Sequence, residues 1–168
     1  MRYILTLALI LAFGTTMAPI GFSHGHASGK RGRTAAIPTT EFGSPGKAKD
    51  VTRTVEVSLQ DTMRIEPNEL NVQQGQTLRL RIRNTGAVAH EFVLGTPKEI
   101  IEHREMMDKM PTMKNDEANA VSVAPGGTKD LIWRFSKPGM FLYACLITGH
   151  WEAGMGGTVT VSAATMSR

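Results

Sequence analysis

Cysteine, histidine and methionine follow one another at intervals of five near the C-terminal end, as Cys145, His150 and Met155 in the stretch Cys-Leu-Ile-Thr-Gly-His-Trp-Glu-Ala-Gly-Met. A thiolate, an imidazole and a thioether are soft and borderline donors of the kind that bind copper. A second imidazole, His90, lies 55 residues upstream of Cys145. A thiolate and two imidazoles form a trigonal plane around copper, with a thioether at a long axial distance. The thiolate suits Cu(I) and the imidazoles suit both oxidation states, so such a site moves little when an electron arrives. Taken singly, His90 reads as a core histidine, Cys145 as an inert buried thiol and Met155 as a gap-filler. The shared spacing favours a metal site over all three.

Composition removes most competitors. One cysteine allows no disulfide within the chain and no zinc or iron–sulfur framework built on several thiolates. It also excludes a binuclear copper centre with two bridging cysteines, and 5 histidines are too few for a trinuclear copper cluster. A Cys145–His150 hydrolase would need an open cleft and an oxyanion hole. The sequence indicates neither, so the chain is not expected to be an enzyme.

Those donors need a rigid frame, and the hydrophobic pattern supplies one. From Thr52 onward the period is two. Val55, Val57 and Leu59 share a face, and Leu78, Leu80 and Ile82 alternate with Arg79, Arg81 and Arg83. His90, Phe92 and Leu94 fall on one side of a further strand. Other short strands cover Ala120–Val123, Leu131–Phe135, Met140–Cys145 and Thr158–Val161, with Gly/Pro turns between them. Seven to eight strands so arranged predict an all-β sandwich. The Gly-rich residues between Cys145 and Thr158 form a loop at one end, able to aim three side chains at one point.

One stretch breaks the period. Thr96-Pro97-Lys98-Glu99 carries a capping box with Pro at the first helical position, predicting a short helical insert at about 97–110 that stops before Pro111. Ile100, His103, Met107 and Met110 share its apolar face, flanked by Met106 and Met113. A methionine stripe at helical spacing reads first as packing. The sharper reading is a second Cu(I) site of thioethers with His103.

At the other end, Arg2 and an 11-residue apolar run from Tyr3 to Phe13 read as a secretory signal, too short to span a membrane. Residues 1–23 are expected to be a signal peptide, with cleavage after Ala18, Ser23 or Ala27. Residues 24–50, rich in Gly, Ser, Thr, Pro and Lys, are expected to be a flexible basic leader. The excess of basic residues sits there, while residues 51–168 carry as many acidic as basic side chains. The folded surface therefore lacks the basic patch of a nucleic-acid-binding protein. The folded domain is expected over 51–164. Cleavage after Ser23 would expose His24-Gly25-His26, whose free amine, backbone amides and third-position imidazole form a square-planar chelate for Cu(II) or Ni(II).

From about Val51 to Val161 the sequence resembles the cupredoxins, the small blue type 1 copper proteins related to plastocyanin and azurin. The resemblance rests on the Cys145-x4-His150-x4-Met155 loop and on His90 downstream of Asn84-Thr85-Gly86. It is closer still to periplasmic cupredoxins of copper tolerance, in His-Glu-Phe-Val-Leu-Gly, the Met-containing helical insert and the Cys-Leu-Ile-x-Gly-His-x-Glu-Ala-Gly-Met loop. The resemblance implies a Greek-key sandwich, a periplasmic or otherwise exported location, and one copper ion held by His90, Cys145, His150 and Met155. It implies single-electron transfer, with a role in copper tolerance. The competing reading is copper storage or delivery, using Met106, Met107, Met110, Met113, His24 and His26. The expected partner is a redox protein of unidentified kind, met through an apolar patch near Trp151, Phe92 and Tyr143. Nucleic acid and stable membrane insertion after signal removal are not expected, and a monomer is. One departure stands out: many cupredoxins carry a small polar residue after the first ligand histidine, and this chain has Glu91. Alternation along the strand predicts that Glu91 points to solvent; the alternative is a carboxylate beside the site that lowers its potential or replaces the weak axial ligand.

Overall fold

The computed structural model describes residues 40–110 and 117–164. The expected signal peptide 1–23, the first part of the expected leader with His24 and His26, and Met113 lie outside the described residues.

Among the described residues, ten strands form two five-stranded sheets. The first sheet orders β1 (Gly43–Pro45), β8 (Thr128–Phe135), β5 (Thr77–Asn84), β2 (Arg53–Gln60) and β3 (Arg64–Glu66) side by side. The second orders β4 (Glu69–Gln73), β10 (Gly156–Ser162), β9 (Gly139–Ala144), β6 (His90–Gly95) and β7 (Ala120–Val123). The chain crosses between sheets repeatedly, so β2 pairs with β5 and β4 with β10 in parallel while the other pairs run antiparallel. The fold is the expected all-β sandwich. Its strand count exceeds seven to eight because β1 and β3 are three-residue edge pieces, too short to show a period.

Alternation holds where one sheet face meets water. Leu78, Leu80 and Ile82 are fully buried, and Arg81 and Arg83 are exposed. The inner faces close on Trp133, Phe135, Phe92, Tyr143 and the aliphatic residues of β2 and β5. Phe92 and Tyr143 stack with ring centroids 5.0 Å apart and are both fully buried, so neither belongs to a surface patch near the loop.

Helix α1 (Pro97–Lys109) starts as expected: Thr96 accepts from the Glu99 amide, and the Glu99 carboxylate accepts from the Thr96 amide. It buries Ile100, His103 and Met107. Met110, expected on the same face, is the C-cap residue and is 47% exposed. Ile100 and Met107 pack on Val93, Ala120, Ala144 and Leu146, covering the outer face of the second sheet. Strand β6 is consequently buried along its whole length, Glu91 included at 7% exposure. The expectation that Glu91 faces solvent fails because α1 lies where water would be.

The sandwich also begins before Val51. Ser44 pairs with Arg134 in β1, and Phe42 is fully buried with its ring 5.3 Å from Trp133 and 4.9 Å from Phe141. Residues 40–50 therefore belong to the fold, not to a flexible leader. One aromatic in a polar stretch has no period and so no pattern to reveal it. Phe42→Ala should cost about 3–5 kcal/mol by cavity formation, measured as a lowered midpoint in urea; a change within ~0.5 kcal/mol, the scale of a surface substitution, would show the segment to be dispensable.

Candidate metal centre

Strand register brings the donors together. β6 and β9 run antiparallel with Val93 opposite Ala144 and Leu94 opposite Tyr143. The start of β6 and the end of β9 thus reach the same rim of the second sheet. His90 opens β6 and Cys145 follows β9, and both are fully buried.

The loop from Cys145 to Met155 is closed by its own backbone. The Cys145 amide donates to Met155 O (3.0 Å), the Met155 amide to His150 O (3.0 Å), and the His150 amide to Ile147 O (2.9 Å). Gly149 and Gly154 take φ values of +85° and +94°, the left-handed region in which a side chain is strained. Arg64 donates to Ala153 O at 3.1 Å, tying the loop to the first sheet. An Arg104–Glu152 ion pair ties it to α1.

Within this frame His150 Nδ1 lies 3.3 Å from Cys145 Sγ and 3.3 Å from His90 Nδ1. Among the described residues, His90, Cys145 and His150 are the His/Cys/Asp/Glu group whose donor atoms all fall within 4.8 Å of one another. Met155 is fully buried in the same core cluster as Cys145, its backbone bonded to both Cys145 and His150. The donor atoms of His90, Cys145 and His150 therefore meet at one rim, and Met155 is tied to Cys145 and His150 through the loop backbone. The Glu91 amide donates to Cys145 Sγ at 3.3 Å, and the Glu91 side chain turns to the other face, where it accepts from Ser122 Oγ at 3.2 Å.

The surroundings set the protonation of the donors. Burial is the largest influence on Cys145 and pushes its thiol up to about 11; the Glu91 and Ile147 amides pull it down, and the Glu91 carboxylate adds to the rise. Burial, then the neighbouring His90, hold His150 below the usual imidazole range, while Asp61 works the other way. The thiol and the two imidazoles crowd at 3.3 Å, and a soft metal ion replacing the thiol proton is the species this donor set fits.

Two supporting residues had no role assigned from the sequence, although Asn84 stands in the Asn84-Thr85-Gly86 stretch. Asn84, fully buried, donates through Nδ2 to Val88 O (2.7 Å) and Val123 O (3.0 Å) and accepts at Oδ1 from the Gly86 amide (2.9 Å). It shapes the segment entering His90. Asp61, in the turn after β2, places Oδ1 2.9 Å from His90 Nε2 and accepts the Ala87 amide at Oδ2 (2.6 Å). That amide first, then His90, hold its carboxyl below the usual carboxylate range. Asn and Asp in turns satisfy ordinary turn chemistry, so their type gave no further signal.

The methionines of α1 divide between two recesses. Met107 is packed under the helix and borders a recess with His90 and Glu91, whereas Met106 borders a different recess with His103, whose Nδ1 is 3.8 Å from Glu117 Oε2.

A family model described as "Cupredoxin-like domain" matches residues 33–161. The chain belongs to the cupredoxin-like family. The Copper-resistant cuproprotein CopI of Rubrivivax gelatinosus is 41% identical over 155 residues, covering 92% of this chain and 94% of the relative. The protein of the same description from Vibrio cholerae is 31% identical over 153 residues, covering 90% of each. Among solved structures, reduced auracyanin from Roseiflexus castenholzii superposes with a TM-score of 0.58 at 22% identity, over 67% of this chain and 98% of that one. An azurin from Methylomonas sp. strain J gives 0.53 at 15% identity, over 67% and 99%. These structures share the cupredoxin sandwich.

Removing the Asn84 side chain tests how the frame serves the site. Asn84→Ala removes three hydrogen bonds, one of them to the buried Val123 carbonyl, and should cost about 2–4 kcal/mol. Urea unfolding of the metal-free protein measures it, and a loss below ~1 kcal/mol, the net worth of a single hydrogen bond, would contradict the assigned role.

Proposed function

We propose that this cupredoxin-like protein holds one copper ion through His90, Cys145, His150 and Met155 and passes single electrons outside the cytoplasm as part of copper tolerance. The observation that carries the reading is the convergence of His90, Cys145 and His150 donor atoms within 4.8 Å at a buried rim. The relatives named for copper resistance, matched over nine-tenths of the chain, support the copper-tolerance setting. Bound copper would supply a one-electron couple between Cu(I) and Cu(II).

The chain's own residues do the rest. Cys145 gives up its proton to become the soft donor, and the Glu91 amide stabilises the resulting negative sulfur. The two imidazoles offer nitrogen to either oxidation state. The loop bonds and the sheet hold these groups in place beforehand, so little rearrangement accompanies electron arrival. Four protein donors leave no position for a substrate, which supports a carrier over a catalyst. His150 is partly exposed while His90 is fully buried, which makes His150 the edge nearest a redox partner.

Storage or delivery is the second reading, supported by Met106 and His103 bordering one recess. Two measurements separate them. Protein loaded with Cu(II) should show an intense thiolate-to-copper absorption band in the visible and one copper per chain. Cys145→Ser should abolish the band; a band that survives, or none in the parent protein, overturns the site. Replacing Met106, Met107, Met110 and Met113 with leucine should leave the copper count at one, whereas loss of a second equivalent would favour storage.

A further inference from the structure

His90 is held from behind by a charged group. Its Nδ1 faces His150 Nδ1 at 3.3 Å, on the side of Cys145, and its Nε2 faces Asp61 Oδ1 at 2.9 Å. The imidazole is fully buried, whereas the Asp61 side chain is 39% exposed. A carboxylate only accepts hydrogen bonds, so the proton of a neutral His90 belongs on Nε2. Nδ1 is then left bare toward the other donors.

Asp61 is itself fixed in that place. Oδ2 accepts the Ala87 amide at 2.6 Å, and the Met63 amide closes its turn on Gln60 O at 3.0 Å. Gly86 permits the approach: a Cβ there would fall 1.8 Å from Asp61 Oδ1. The carboxylate occupies a cradle that any side chain at position 86 would fill.

We propose that Asp61 is a positioning residue of the metal site, which sets the His90 tautomer and whose negative charge favours the oxidised over the reduced ion. This rests on the copper reading above. The charge argument is electrostatic. An anion hydrogen-bonded to a ligand imidazole makes that imidazole a stronger donor, and the more highly charged ion gains more. Partial exposure moderates the effect without removing it.

The test uses the full chain with Asp61→Asn, which keeps an acceptor oxygen and removes the charge, and Asp61→Ala, which removes both. Redox titration of the copper-loaded proteins should show a raised reduction potential in both variants. The expected loss is about tenfold in Cu(II) affinity relative to Cu(I), equivalent to about 59 mV for one electron. Gly86→Ala, which displaces the carboxylate, should shift the potential in the same direction. Nitrogen-15 NMR of the metal-free protein gives a second readout: His90 should be the Nε2-protonated tautomer in the parent and a mixture in Asp61→Ala. Potentials unchanged in both Asp61 variants would overturn the proposal, as would a shift in Asp61→Ala alone, since that would leave the charge without effect. A mixed His90 tautomer in the parent would overturn it too. Absence of the thiolate band in the parent protein would instead sink the copper reading, while the tautomer measurement would still decide the role of Asp61.

Discussion

The pairing of β6 with β9 is the constraint on which the site depends. With Val93 opposite Ala144, the chain has no choice but to bring His90 and Cys145 to one rim, although 55 residues separate them. A one-residue slip would turn the side chains of one strand to the opposite face and send Cys145 under the helix. The register is fixed by what each face must bury. Phe92 and Leu94 enter the inter-sheet core with Tyr143, while Val93 and Ala144 pack under α1. Metal chemistry here is a consequence of apolar packing on both sides of one sheet.

That packing also decides how the thiol behaves. Burial alone would make Cys145 a reluctant donor, since an isolated anionic sulfur is poorly tolerated in a dry environment. The Glu91 amide answers this from within the sheet, at 3.3 Å from Sγ. The same residue then has two roles on two faces, its amide toward sulfur and its carboxylate toward Ser122. A cation at the rim would offset the remaining cost by replacing the proton.

Much of this was legible in the sequence because the informative features repeat at a fixed interval. The equal spacing of Cys145, His150 and Met155, the two-residue period of β5 and the Thr96–Glu99 box each have one local cause. What escaped depends on neighbours distant in sequence. Phe42 is an isolated aromatic in a polar run and shows its role only when Trp133 and Phe141 enclose it. Glu91 looks exposed until a helix covers the strand. Asp61 and Asn84 are plausible turn residues until β2 and β5 end beside His90. Alternation predicts which face a residue takes, but not whether that face is wet.

The methionine-rich insert bears on how copper would be used. Ile100 and Met107 cover Ala144 and Leu146, the two neighbours of Cys145 in sequence, and Arg104 joins α1 to Glu152 in the ligand loop. The helix is thus the back wall of the metal rim. Unbranched thioether side chains suit that task, because they fill irregular gaps without demanding one shape. For Met107 to bind copper it would have to leave the wall, and the loop that fixes His150 would lose its support. Storage through these residues and a rigid redox site at the rim therefore compete for the same side chain. The burial of Met107 at 4% exposure places it with the wall.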